Sequence, residues 1–182
     1  MHFKPGGALP FVAVPADELH NHVVSLDALW GPVMSSIEAR LWEARTPEQR
    51  LQILEDVLRA RMSHSRARHS AVVYAVSAID RSHGTRPIAD IAQRIGLSTR
   101  RFLDVFRSEV GLSPKAFSRM RRFAAVLTTI DGMTNIDWTE VALSCGYFDQ
   151  AHFNHDFRAF SGVSPSEYLR HRTSRTHVVV SD

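Results

Sequence analysis

The sequence has little cysteine, little lysine and no long apolar run. Its one thiol, Cys145, cannot close an internal disulfide, which excludes a small disulfide-stapled scaffold. No apolar stretch nears the roughly eighteen residues of a membrane span. Residues 1–10 also lack the charged and apolar regions of a signal peptide, so a cytoplasmic location away from any membrane is expected. Of the 22 cationic side chains only Lys4 and Lys115 are lysine. The rest are arginine, whose planar fork reads phosphates and base edges better than an ammonium does. With 44% apolar, 23% charged and 9% aromatic residues in 182, the balance fits one or two small globular domains and excludes a disordered chain or a rod.

Charge is distributed unevenly. Residues 1–65 hold six basic and eight acidic side chains, whereas residues 66–175 hold sixteen and ten. The polar stretch 63–70, Ser-His-Ser-Arg-Ala-Arg-His-Ser, separates them and reads as a linker. Before it, the run Phe11-Val-Ala-Val14 is too short to be a strand without partners that the chain does not supply. Two amphipathic helices are expected next, one over 32–44 and one begun by Thr46-Pro47-Glu48-Gln49, a cap, a first-turn proline and a capping-box glutamine. The second carries Leu51, Leu54, Leu58 and Met62 as an apolar stripe, the candidate surface for a homodimer.

An internal repeat organises the rest. Asp90, Ala92 and Gly96 recur fifty residues on as Glu140, Ala142 and Gly146. Phe102, Phe106, Arg107, Gly111, Ser113 and Pro114 recur fifty-one residues on as Phe153, Phe157, Arg158, Gly162, Ser164 and Pro165. The slip of one residue falls within a turn, and each copy has the plan of a helix-turn-helix. The expected fold is all-α: two helix-turn-helix subdomains over 87–110 and 137–160, joined by a long helix over 113–130. Phe117, Met120, Ala124, Leu127 and Ile130 mark the apolar face expected of that helix, which at about 1.5 Å per residue would be about 26 Å long. Such a rod suits two modules reading major-groove segments about 34 Å apart.

The segment from Trp138 to Phe153, followed by Phe157-Arg158 and Ser161-Gly-Val-Ser-Pro165, resembles the signature of the AraC/XylS family of bacterial transcription regulators. The likeness extends over about 70–172, where Ile91-Ala92, Gly96-Leu97-Ser98, Phe106-Arg107 and Gly111-Leu-Ser-Pro114 carry the first half. It implies a DNA-binding domain over 71–175 with a tail at 176–182, and makes 1–62 the mostly helical remnant of a truncated sensor and dimerisation region. It further implies double-stranded DNA and RNA polymerase as partners, action at the nucleoid, and either activation or repression. The incomplete sensor argues against a small-molecule effector. A second function, pairing with or competing against full-length relatives, is the alternative.

Helix periodicity selects the side chains that would meet DNA. Phe102, Val105 and Phe106 share one stripe of the first recognition helix, leaving Arg100, Arg101 and Asp104 to read bases and Arg107 to reach phosphate. Asp104 could accept from a cytosine amino group or, four residues after Arg100, fix that fork. On the second helix Phe153, Phe157 and Phe160 point inward, so Gln150, Ala151 and His155 would face bases, with Asn154 and Arg158 at the backbone. Arg119, Arg121, Arg122, Arg170 and Arg172 are further candidate phosphate contacts. No catalytic constellation is visible and an enzyme is not expected. His152, His155 and Cys145 lack a second ligand pair at metal spacing, so neither metal nor cofactor is expected. Cys145, Trp30, Trp42 and Trp138 read as packing residues.

Overall fold

The computed structural model describes residues 3–12, 14–63 and 67–171. Among them there is no strand. Two 3₁₀ turns, Leu9–Phe11 and Ala16–Leu19, precede the helices α1 (Leu26–Trp30), α2 (Val33–Glu43), α3 (Pro47–Ser63) and α4 (Ser70–Arg81). There follow α5 (Ile88–Gln93), α6 (Thr99–Val110), α7 (Pro114–Thr129), α8 (Trp138–Ser144), α9 (Gln150–Ser161) and α10 (Pro165–His171). The run at Phe11 ends in a turn, as its lack of partner strands requires. Contacts divide the chain into two compact units, Met1–Tyr74 with Leu97–Ser113, and Ala75–Gly96 with Pro114–Asp182. This division differs from a boundary at 63–70, because α6 packs with the N-terminal region.

In the first unit α6 lies against the Ala16–Leu19 turn. A Cβ on Gly111, just past α6, would stand 3.0 Å from the Ala16 carbonyl. Residues 67–69, expected to be linker, are tied down. The Arg68 Nη2 donates to the Pro5 carbonyl at 3.1 Å, and the His69 amide donates to Glu109 of α6 at 3.0 Å. Phe102 and Phe106 are buried and meet edge to face at 5.8 Å. The expected helical hairpin forms from α2 and α3. Gln49 Oε1 accepts from the Arg45 amide at 2.8 Å, and the Gln49 amide donates to Thr46 Oγ1 at 3.3 Å. Trp30 packs as expected, its Nε1 donating to the Phe11 carbonyl at 2.7 Å with Arg61 stacked at 4.2 Å. Trp42 does not: its ring is 85% exposed, because α2 turns another face, that of Ile37, inward.

The second unit is built around α7, with α8 and α9 packed on it and α10 on α9. Its core joins Phe123, Val126, Ile130, Val141, Ala142, Cys145, Tyr147, Phe153 and Phe157. Trp138 stacks on Phe153 at 5.8 Å, and Cys145 is a buried core residue. The apolar face expected of α7 holds at Phe117 and Ile130, which are buried, but is wider than expected. Phe123 and Val126 are buried, whereas Met120, Ala124 and Leu127 are half-buried. The turn after α4 also lies against α7. A Cβ on Gly84 would sit 2.1 Å from the Ser118 carbonyl, and Gly84 also has φ +76°. Only glycine fits that approach.

Candidate nucleic-acid interface

Helices α6 and α9 each start at a side-chain cap that orients the first turn. Ser98 Oγ accepts from the Arg101 amide at 3.3 Å and begins α6. Asp149 Oδ1 accepts from the His152 amide at 2.7 Å and begins α9. Both end at a glycine in the left-handed region, Gly111 and Gly162. This is the chemistry that glycine supplies after a helix. α8 is capped likewise, Asp137 accepting from Thr139 and Glu140 amides at 2.8 and 3.2 Å.

On α6 the inward stripe is Phe102 and Phe106, and Arg100, Arg101, Leu103, Asp104 and Arg107 are exposed. On α9 the inward stripe is Phe153, Asp156 and Phe157, and Gln150, Ala151, Asn154, His155 and Arg158 are exposed. Four of these, Gln150, Asn154, His155 and Arg158, line one groove of about 680 Å³ whose other wall holds Trp138 and Ser164–Ser166. Arg170 is exposed on α10. Nearby, Glu167 closes a capping box with Ser164, its Oε2 accepting from the Ser164 hydroxyl at 2.5 Å and from the Ser164 amide at 2.8 Å. Those bonds, with the charges of Arg170 and Arg158 adding to them, hold the Glu167 carboxyl below its ordinary range.

The three arginines of α7 are different. Arg119 donates from Nε and Nη2 to Asp156 Oδ1 at 3.0 and 2.7 Å. Arg121 Nε lies 2.7 Å from Asp80 Oδ1. Arg122 donates to the Gly146 carbonyl at 3.4 Å and lies over the Tyr147 ring at 5.1 Å. All three guanidiniums expected at phosphate have partners within the unit, and all three remain partly exposed. Arg172 lies outside the described residues.

Asp156 is the residue that sequence reasoning missed. Its side chain is only 2% exposed, yet burial, which favours the neutral acid, is outweighed by Arg119 and by His155 and His152, so its carboxyl stays below its ordinary range. His155 Nδ1 lies 3.5 Å from Asp156 Oδ1 and His152 Nε2 lies 3.7 Å from Oδ2. Burial, with the Asp156 charge adding to it, raises the Tyr147 phenol. The sequence did hold a signal: Asp156 stands on the apolar stripe, three residues after Phe153, where a carboxylate requires a buried cation. Among the described residues no group of three or more His, Cys, Asp and Glu could hold a metal, and no helix is long and apolar enough to cross a membrane.

Two capped helix-turn-helix copies, each with an apolar back and a polar front, define a helix-turn-helix protein. Residues 91–171 match the family profile described as a helix-turn-helix domain. Over 87 residues the chain is 36% identical to the putative HTH-type transcriptional regulator YkgA of Escherichia coli K12, a match covering 47% of this chain and 35% of that protein. Over 81 residues it is 30% identical to the arabinose operon regulatory protein of Salmonella typhimurium LT2, covering 44% of this chain and 28% of that protein. Thus the chain spans about a third or less of the length of these relatives. The C-terminal domain of AraT, a response regulator from Geobacillus stearothermophilus, shares the fold with a TM-score of 0.52 at 23% identity, over 62% of this chain and 98% of that one. The DNA-binding domain of AdpA, solved with a target DNA, aligns with a TM-score of 0.50 at 24% identity, over 56% of this chain and 92% of that one. Residues 91–171 thus carry a helix-turn-helix domain, similar to parts of these bacterial regulators.

Proposed function

We propose that this protein is a sequence-specific DNA-binding transcription regulator whose helices α6 and α9 each enter a major groove. The observation that carries this reading is the front of α9, where Gln150, Asn154, His155 and Arg158 line one open groove while Phe153 and Phe157 anchor the back. That arrangement offers amide, imidazole and guanidinium groups in the first turns of a rigid helix, where base edges are reached most easily. Gln150, Ala151 and His155 face bases, as do Arg100, Arg101 and Asp104 on α6, while Arg107, Asn154, Arg158 and Arg170 hold phosphates. Arg119, Arg121 and Arg122 position the unit through their partners within it and offer their remaining donors to phosphate. The AdpA domain, solved with its target DNA, supports DNA as the ligand.

The bacterial nucleoid is the place of action on this reading, with RNA polymerase as a partner of the bound regulator. A homodimer through α3 is part of the proposal, because Leu51 and Met62 are 66% and 56% exposed while Leu54 and Leu58 are half-buried. The test is binding to duplexes selected from a random pool, measured by fluorescence anisotropy. Specific binding is expected with Gln150→Ala relaxing preference at one base position. Equal binding of all duplexes by the wild type would contradict the reading.

A further inference from the structure

His155 is 76% exposed and stands in the groove on the front of α9, with a buried carboxylate beside one of its ring nitrogens. Its Nδ1 lies 3.5 Å from Asp156 Oδ1. Asp156 is held as a carboxylate by the two bonds from Arg119, at 3.0 and 2.7 Å, and its side chain is 2% exposed. At 3.5 Å the charge of that buried oxygen disfavours a bare lone pair on Nδ1 and favours a proton there. In a neutral imidazole the proton sits on one nitrogen only, and the bond made by one decides the state of the other. His152, on the other side of the carboxylate, lies 3.7 Å from Oδ2 and leaves Oδ1 to Arg119 and His155. The remaining charged group in the groove, Arg158, is one turn further along α9 and is a donor only.

We propose that Asp156 fixes His155 as the Nδ1–H tautomer, so that Nε2 presents a lone pair to DNA and selects a base carrying an exocyclic amino group. In the major groove adenine offers an N6 amino and cytosine an N4 amino, while thymine and guanine offer carbonyl oxygens at the corresponding places. The result is an unusual preference, for adenine or cytosine over guanine or thymine on the strand that faces His155. An arginine or lysine at this position would do the reverse, since each is a donor only. Asp156 is thereby a positioning residue for specificity, and Arg119 supports it in turn. This inference rests on α9 lying in a major groove.

Two measurements test it separately. Long-range proton–nitrogen NMR of the free ¹⁵N-labelled full chain, with the His155 signals assigned by their loss in His155→Ala, reads the tautomer without DNA. An Nδ1–H ring is expected, although a histidine in water favours Nε2–H, and an Nε2–H ring overturns the proposal. In duplexes selected from a random pool, wild type is expected to favour adenine or cytosine at one position by about five- to tenfold, the lower part of the range for a specific base contact. His155→Ala should flatten that position alone, and His155→Arg should turn it towards guanine. A preference for guanine or thymine at the His155-sensitive position overturns the tautomer claim. If neither Gln150→Ala nor His155→Ala alters any position, the groove reading itself has failed and the proposal with it. Asp156→Asn, where it folds, adds a readout that simple destabilisation would not give. Its amide can donate to Nδ1, and the expected outcome is an Nε2–H ring with adenine and cytosine no longer favoured.

Discussion

Asp156 and Arg119 are thirty-seven residues apart, and their pairing shows what a single residue can decide in this fold. Arg119→Ala leaves a carboxylate buried without its cation, which should lower stability by about 3 kcal/mol at neutral pH in urea unfolding. The pH dependence follows from the direction of the shift. In the wild type the folded Asp156 carboxyl titrates below its ordinary value of 3.8, so its contribution is complete above that value and is lost as pH falls through the folded one. In Arg119→Ala burial is opposed only by His155 and His152, so the carboxyl rises from its wild-type position and protonation on acidification returns part of the lost stability. Unfolding midpoints of the variant should approach those of the wild type as pH is lowered from 7 towards 4, and a constant gap would contradict the account. Caps and inward phenylalanines were legible from sequence because they act within three or four residues. The partners of Arg119, Arg121 and Arg122 were not, because they come from α9, the end of α4 and the turn after α8.

At the scale of elements, the hydrophobic period placed α3, α6, α8 and α9 to within a residue or two, since each has a local start signal and α6, α8 and α9 also have a glycine stop. α7 was harder. It is packed on more than one side, and a single stripe drawn from Phe117 selected half-buried Met120 and Ala124 in place of buried Phe123 and Val126. Trp42 failed for the opposite reason, since an aromatic amid apolar neighbours need not lie on the face that packs. Two glycine substitutions separate strain from contact. Gly96 has φ +70° with open space around its Cβ position, so Gly96→Ala should cost about 1 kcal/mol from conformation alone. Gly84→Ala adds a collision with the Ser118 backbone and should cost at least twice that. Equal shifts in thermal midpoint would show that α7 yields. Asp149→Ala, removing the cap of α9, should cost about 1 kcal/mol by the same assay.

For the whole molecule, the repeat made two helix-turn-helix motifs and an all-helical fold legible before any coordinates. It could not show that α6 packs with the Ala16–Leu19 turn, because that contact joins positions some ninety residues apart and neither side has a local signature. The segment ahead of the repeat is therefore part of the unit that holds α6. Sedimentation of wild type and Leu51→Glu at tens of micromolar bears on the α3 dimer: a dimer lost with one charge is expected, and a monomeric wild type would end that idea. DNA binding should weaken steeply with salt, by about a thousandfold between 50 and 200 mM if six phosphates are neutralised. The central claim, that both motifs read DNA, is met most directly by hydroxyl-radical footprinting of the full chain on its selected duplex. The account predicts protection over about two helical turns, with Arg100→Ala weakening one end and Gln150→Ala the other. Protection of a single half-turn, unchanged by one of the two substitutions, would contradict it.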